Sequence, residues 1–311
     1  YIYKTENYGK SWKLIVEGIS DEDFTRALRA DPKRKGLLYA GTERGMYISF
    51  DDGKNWQSFK QNLPIVPITD LTIKDDNLIA ATQGRSLWII DDLTPLHQLN
   101  ESTLKKEIVL YKPKNAYNLS GGNGRTSRTA GTNHSGGVSV NYYIKKVAEK
   151  DVVSISFFDS NEHLIKKYTT KPDKEKKEEK LKVADGNNIF NWNMMHSGAE
   201  SVKGMILWWA SLSGPMALPG NYKVELAVND TKQTQRFNII RNPASEATER
   251  DMKTQFDFIN EINTKMTEIH KALKNVQKVR GQVGLLKKSI KDKETHKGLL
   301  EYADTLVKDM T

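Results

Sequence analysis

The chain has 311 residues, a net charge of +9, no cysteine, and 28% charged against 37% hydrophobic residues. That length holds two or three folded domains. The absence of cysteine excludes disulfides, thiolate nucleophiles and cysteine-based zinc sites, and no apolar run approaches the roughly 18 residues of a transmembrane helix.

The amino-terminal third is repetitive. TENYGKSW, from Thr5 to Trp12, and SFDDGKNW, from Ser49 to Trp56, share one pattern, Ser/Thr-x-Asp/Asn-x-Gly-x-x-Trp, 44 residues apart. Leu37–Ser49 (LLYAGTERGMYIS) aligns with Leu78–Ile90 (LIAATQGRSLWII) at a shift of 41. Each unit reads as a strand, a short turn with Arg44 or Arg85, and a second strand. Periods of about 40–45 residues with several short strands per unit are those of propeller blades. The boxed motif reads as a hairpin turn. Asn7 or Asp51 accepts backbone N–H groups across it, Gly9 or Gly53 supplies a positive φ, and Trp12 or Trp56 lays its ring on the hairpin. The eight residues Thr5, Asn7, Gly9, Trp12, Ser49, Asp51, Gly53 and Trp56 are therefore expected to serve structure and not catalysis.

At these residues the chain resembles the Asp-box, or BNR, repeats of sialidases, two-propeller xyloglucanases and sortilin-type propellers. The phrase ATQGRSLWIIDDLTPL, Ala81 to Leu96, resembles the last blade of bacterial proteins described as sortilin-like or glycosyl-hydrolase-like. The resemblance implies about two terminal blades over residues 1–96, further blades upstream as partners within the same protein, and a secreted, periplasmic or cell-surface location. In such families the boxes lie at the blade periphery, so they report fold and not activity.

Residues 97–137 read as a connector ending in a stretch rich in Gly, Ser, Thr and Asn. Its GGNGR run, Gly121 to Arg125, lacks the Lys-Ser/Thr ending of a phosphate loop, and no cofactor is expected. From Val138 the period becomes two. Val138, Val140, Tyr142 and Ile144 alternate with polar residues, as do Val153, Ile155 and Phe157. Further strands are expected over His163–Thr170, Asn188–Met194, Asn221–Val228 and Thr234–Ile240, with Asn229-Asp230 turning the last hairpin. The pattern predicts a β-sandwich over residues 138–243. GNNIFNWNM (Gly186–Met194) and PGNYKVELAV (Pro219–Val228) resemble the Ig-like domain of flagellar hook-capping proteins, which implies Trp192 as core aromatic. Lys171–Lys182 alternates Lys and Glu and reads as a mobile, solvated loop rather than a nucleic-acid surface. Neighbouring Trp208 and Trp209, read on a strand, point to opposite sides. They are candidates for a domain interface, with Trp88 as acceptor, or for a sugar ligand, and Arg85 joins the same candidate set.

After Pro243 the period becomes helical. Met252, Phe256, Ile259, Ile262, Met266, Ile269, Leu273, Val276 and Val279 form one apolar face, Ser245 with Glu249 marks a loose start, and Gly281 and Gly284 weaken the end. A second helix through Leu299, Leu300, Ala303, Leu306 and Val307 makes a helical hairpin over residues 244–311, and because the chain stops while the pattern is still helical, a truncated tail is expected. The fold expected is mainly β with a helical tail: a partial propeller, an Ig-like sandwich and an amphipathic hairpin.

Catalytic signatures are sparse. The six histidines form no HxxxH or HExxH pair, so no metal site is expected, and no GxSxG elbow occurs. The carboxylates near blade ends are Asp70, Asp75, Asp76, Asp91 and Asp92. The sequence favours a non-catalytic binding or scaffold role toward protein or glycan. The alternative is the carboxy-terminal part of a sialidase- or xyloglucanase-like glycoside hydrolase, with its catalytic residues mostly in upstream blades.

Overall fold

A computed structural model describes residues 1–119, 136–173, 178–292 and 294–310. The chain is mostly β, with several sheets, one of them curled into a half-barrel, and helices at its carboxy-terminal end. Strands β1 (Tyr3–Lys4) and β2 (Lys13–Leu14) form a two-stranded sheet. Strands β3 (Thr25–Ala30), β4 (Leu38–Thr42), β5 (Gly45–Ser49) and β6 (Gln57–Ser58) form an antiparallel sheet in chain order. Strands β7 (Ile68–Lys74), β8 (Asn77–Thr82) and β9 (Leu87–Ile90) repeat that meander. The repeat extends to irregularities: β3 shifts register against β4 between Thr25 and Ala27, and β7 against β8 between Ile68 and Asp70.

The middle sheet is covered on both faces, which is why all of β4 is buried. Side chains alternate along a strand. Leu37 and Tyr39 join Ile68, Leu71 and Leu78 in one core, whereas Leu38 and Ala40 join Ile2, Ile15 and Trp56 in another. The contact with β7 requires Gly41, because a Cβ there would stand 2.7 Å from Ile68 Cγ2.

Two short helices follow, α1 (Thr94–Gln98) and α2 (Glu101–Leu104). Next come β10 (Ile108–Leu110), β11 (Ala116–Tyr117), β12 (Val138–Ile144), β13 (Val153–Phe158), β14 (Leu164–Thr169), β15 (Glu179–Lys180), β16 (Gly186–Trp192), β17 (Gly220–Val228) and β18 (Thr231–Ile240). They build a three-stranded sheet ordered β10-β12-β16 and a six-stranded sheet ordered β11-β18-β17-β13-β14-β15. Inward residues of both sheets share one core. At its centre Trp192 is fully buried and stacks on Phe157 with ring centroids 4.3 Å apart. Asn229 and Asp230 form the two-residue turn between β17 and β18, and Asn229 takes the positive φ that such a turn needs.

Two expectations need correction here. The connector drawn over 97–137 contributes β10 and β11 to these sheets, and strands of three and two residues are too short to show a period. The GGNGR run lies outside the described residues. The segment Lys171–Lys182 is not simply a solvated loop. Glu179 and Lys180 pair with Tyr168 and Thr169, Glu178 bonds Lys167 at 2.8 Å, and Leu181 is buried in the shared core.

Helix α3 (Glu249–Ser289) starts at Thr248, not at Ser245. The Thr248 side chain accepts from Asp251 N–H, and Asp251 accepts from Thr248 N–H, a reciprocal cap that leaves two fewer orphan donors. The helix runs through Gly281 and Gly284 to Ser289, because α4 (Lys297–Asp309) packs beside that end with Ala303 buried and Lys287 paired to Asp304. The expected apolar face is only partly used. Ile262, Ile269, Leu273 and Val279 are exposed, and the buried residues of α3 are Asn263 and His270.

Candidate functional site

The two boxed turns are superposable in their bonding. In the first, Asn7 N–H and Gly9 N–H donate to Thr5 Oγ1 at 3.4 and 2.8 Å, and Ser11 N–H donates to Asn7 Oδ1 at 2.9 Å. In the second, Asp51 N–H and Gly53 N–H donate to Ser49 Oγ at 3.4 and 2.9 Å, and Asn55 N–H donates to Asp51 Oδ1 at 2.9 Å. Gly9 and Gly53 sit at φ of +87° and +82°. The Asp51 carboxyl also accepts the Asn55 amide at 2.7 Å and the Ser49 hydroxyl at 2.8 Å. Burial opposes its charge, but these hydrogen bonds outweigh it and hold its pKa below the ordinary value. The tryptophans differ. Trp56 is 4% exposed and donates Nε1–H to Ile15 O at 2.9 Å, whereas Trp12 is 60% exposed.

Trp208 and Trp209 stand at the tip of a finger between β16 and β17. Its arms run antiparallel, with Ala217 N–H on Met194 O, His196 N–H on Pro215 O and Ala199 N–H on Leu212 O. The arms meet this closely because Gly198 and Gly214 lack side chains. A Cβ at Gly198 would lie 1.8 Å from Leu212 O, and one at Gly214 would lie 2.3 Å from His196 O. The tip turns on Met205 N–H to Val202 O and Ala210 N–H to Leu207 O. It is not a strand, so neighbouring residues need not face opposite sides. Both indoles point to solvent, Trp208 at 90% and Trp209 at 100% exposure, with Ile206 beside them at 77%.

The expected interface through these rings is thus corrected: neither ring packs on another part of the chain. Trp88 is no acceptor for them. Its ring packs in the core shared with Met46 and Leu78, and Nε1–H donates to Arg85 O at 3.0 Å. What binds the finger is α3. Asn263 donates to Ser213 O at 3.1 Å, and Glu200 N–H donates to Thr267 Oγ1 at 3.2 Å. His270 Nδ1 bonds Glu200 O, Lys274 meets the Glu200 carboxylate at 3.0 Å, and the His196 and Phe256 rings meet edge to face at 4.9 Å. Burial pushes His196 below its ordinary pKa and keeps it neutral.

Arg44 and Arg85 hold equivalent sequence positions but do different things. Arg44 pairs with Glu22 and lies 3.8 Å from Asp23, which accepts the Tyr47 hydroxyl at 2.7 Å. Among the described residues, the Arg85 guanidinium reaches only the neighbouring Gly84 carbonyl, at 3.4 Å.

A cleft of about 860 Å³ separates the β7–β9 sheet from the β10–β18 unit, and Asp75, Asp76, Asp91 and Asp92 line it with His97 and Lys114. Within its wall, His97 Nε2 lies 2.8 Å from Asp31 Oδ2, and Lys33 pairs with Asp76 at 2.6 Å. Asp31 also accepts Lys33 N–H and Arg34 N–H at 2.8 and 2.9 Å. Burial opposes the Asp31 charge, and the bonds from His97 and those N–H groups overcome it, so its pKa is lowered. This network ties α1 to the turn after β3 and was not visible in the sequence, because Asp31 and His97 are 66 residues apart. Across the cleft, Lys114 donates to Asp75 O at 2.6 Å and Asn141 to Asp92 at 3.3 Å. Among the described residues, no group of three or more His, Asp or Glu side chains is placed to hold a metal ion, and no helix is long and apolar enough to cross a membrane.

No model of a known protein family matches the chain, and no curated protein matches it. Among solved structures it is similar to the extracellular domain of a putative hybrid two component system from B. thetaiotaomicron, at 13% identity and a TM-score of 0.22. That alignment covers 76% of this chain and 28% of the other.

Proposed function

We propose that this chain is a non-catalytic binding or scaffold portion of a secreted or cell-envelope Asp-box protein, presenting the Trp208–Trp209 finger to an external protein or glycan. In this reading residues 1–96 supply propeller blades, 138–243 an Ig-like sandwich joined by β10 and β11 from the segment before it, and 244–311 a helical tail. The observation that carries it is the pair of indoles held wholly in solvent on a finger braced by α3. Exposed apolar clusters of this kind mark contact sites, and tryptophan is the residue most enriched in binding hot spots. Asp51 supports the non-catalytic side, since its hydrogen bonds are all spent inside its own turn. Trp12 supports further blades: its counterpart Trp56 is sealed by the main-chain carbonyl of Ile15, just after the preceding sheet, and an equivalent segment would seal Trp12. The test is a glycan and peptide array probed with the full chain and with W208A/W209A. Ligands captured by the parent and lost by the variant support the reading, and capture indifferent to the tip refutes it.

A second reading, part of a glycoside hydrolase, draws on the cleft lined by Asp75, Asp76, Asp91 and Asp92. Glycosidases set two carboxylates about 5–9.5 Å apart across such a cleft. Turnover of aryl glycosides that disappears in D91N would favour it.

A further inference from the structure

The finger does not stand alone. It advances along α3: His196 meets Phe256, Ser213 meets Asn263, and Glu200 meets Thr267, His270 and Lys274. The tip, beyond Glu200, therefore lies toward the carboxy-terminal half of the helix. Charge is segregated along α3. Residues 249–268 carry five acidic and three basic side chains, whereas residues 269–289 carry six basic side chains and no acidic one. Helical neighbours recur every three or four residues, so Asn263, Thr267, His270 and Lys274 share the face that grips the finger. Continued along the helix, that row brings up Lys278, Leu285 and Lys288. All three are exposed, and Lys278 and Lys288 form no ion pair among the described residues. Lys203 adds an exposed cation at the tip itself.

We infer that the finger tip and this lysine row together form a docking surface for a lipid bilayer with anionic headgroups. The inference rests on the reading of the tip as an external binding surface and takes lipid, in place of protein or glycan, as what it binds. Tryptophan settles at the headgroup level of a bilayer. Peripheral attachment combines buried apolar area with attraction of basic side chains to anionic lipid. Ile206 and Trp208–Trp209 supply the first component and Lys203, Lys278 and Lys288 the second. A sugar fits this tip less well, because its hydroxyls need polar partners, and the hydroxyls of Ser211 and Ser213, just past the tip, bond each other at 2.9 Å. A protein partner fits less well because lysine is depleted from interface cores.

The experiment is vesicle flotation with the full chain, using phosphatidylcholine alone or mixed with phosphatidylglycerol, alongside the same glycan and peptide array. Expected is binding to the mixed vesicles only, weakened by salt, with tryptophan fluorescence quenched by brominated lipid. W208A/W209A loses that quenching and about tenfold or more in partitioning. K278Q/K288Q keeps the tip and loses about fivefold for each lysine removed. Both variants alter exposed side chains, and circular dichroism matching the parent verifies the fold. Absent binding, equal binding to neutral vesicles, or binding unchanged in W208A/W209A overturns the lipid inference. If vesicles are ignored while the array responds to W208A/W209A, the lipid inference falls and the binding reading stands. If neither assay responds to the tip, both fall.

Discussion

Replacing Asp51 with alanine removes three acceptor contacts from one hairpin turn: Ser49 Oγ–H at 2.8 Å, Asn55 N–H at 2.9 Å and the Asn55 amide at 2.7 Å. Asn55 is exposed, so water replaces part of what is lost, and Ser49 still receives Gly53 N–H. The net loss is then about 1–3 kcal/mol, the range for hydrogen bonds to a charged acceptor rather than the sum of three. Asp51→Asn is the informative partner. The first box already uses Asn7 with the same main-chain bonds, so D51N should cost less than about 1 kcal/mol. Trp56, sealed against Ile15 next to this turn, reports the state of this sheet by its fluorescence. Urea titrations followed at Trp56, with hydrogen exchange over residues 49–56, measure both variants. Equal stability of D51A and the parent would refute the turn-bonding argument, and so would a D51N as damaged as D51A.

Gly53→Ala should destabilise more than Gly84→Ala, although both have φ of +82°. A Cβ at Gly53 would sit 2.5 Å from Ile15 Cδ1, whereas Gly84 has open space, so G84A reads the left-handed backbone cost of about 1–2 kcal/mol alone; equal thermal shifts would contradict this. Leu181→Ala should cost about 2–5 kcal/mol by chemical denaturation, a core-sized loss from within a charge-dense segment. A loss near zero would return that segment to a solvated loop. His196 gives a pH prediction. Its folded pKa lies below its ordinary 6.5 because of burial, so the stability it lends is complete above pH 6.5 and is lost as pH falls through the folded value. Protection factors, exchange corrected for the intrinsic pH dependence of the amides, should fall on acidification in the finger and in α3 near Phe256 in the parent, and H196F should abolish that response.

What the sequence made legible was local. The boxed turns close their hydrogen bonds within four residues, so the residue types at fixed spacing were enough to place the turns, and the period-two strands of β12, β13 and β17 were equally plain. Contacts that depend on distant residues left no trace: Asp31 with His97, or the glycines at 198 and 214 that admit a facing carbonyl. Leu181 was hidden because one apolar residue among lysines and glutamates makes no pattern. Arg44 and Arg85 show the limit of the repeat, which preserves their positions while Glu22 and Asp23, the partners of Arg44, belong to one unit only. The cap at Thr248 is inconspicuous in the sequence because its partner is Asp251, not the Glu that a capping box more often uses.

The long helix also has a mechanical consequence. Its 41 residues extend about 61 Å, yet the finger clamps it only from Phe256 to Lys274. Beyond the clamp it is a cantilever, loaded at its far end by α4 through Lys287 and Asp304. Gly281 and Gly284 lie between clamp and load with nothing near their Cα hydrogens, and each costs a helix interior about 1 kcal/mol relative to alanine. Bending would concentrate there, so a pull on the tail would yield at the glycine pair before it reached the clamp, leaving the angle between finger and first half of the helix undisturbed.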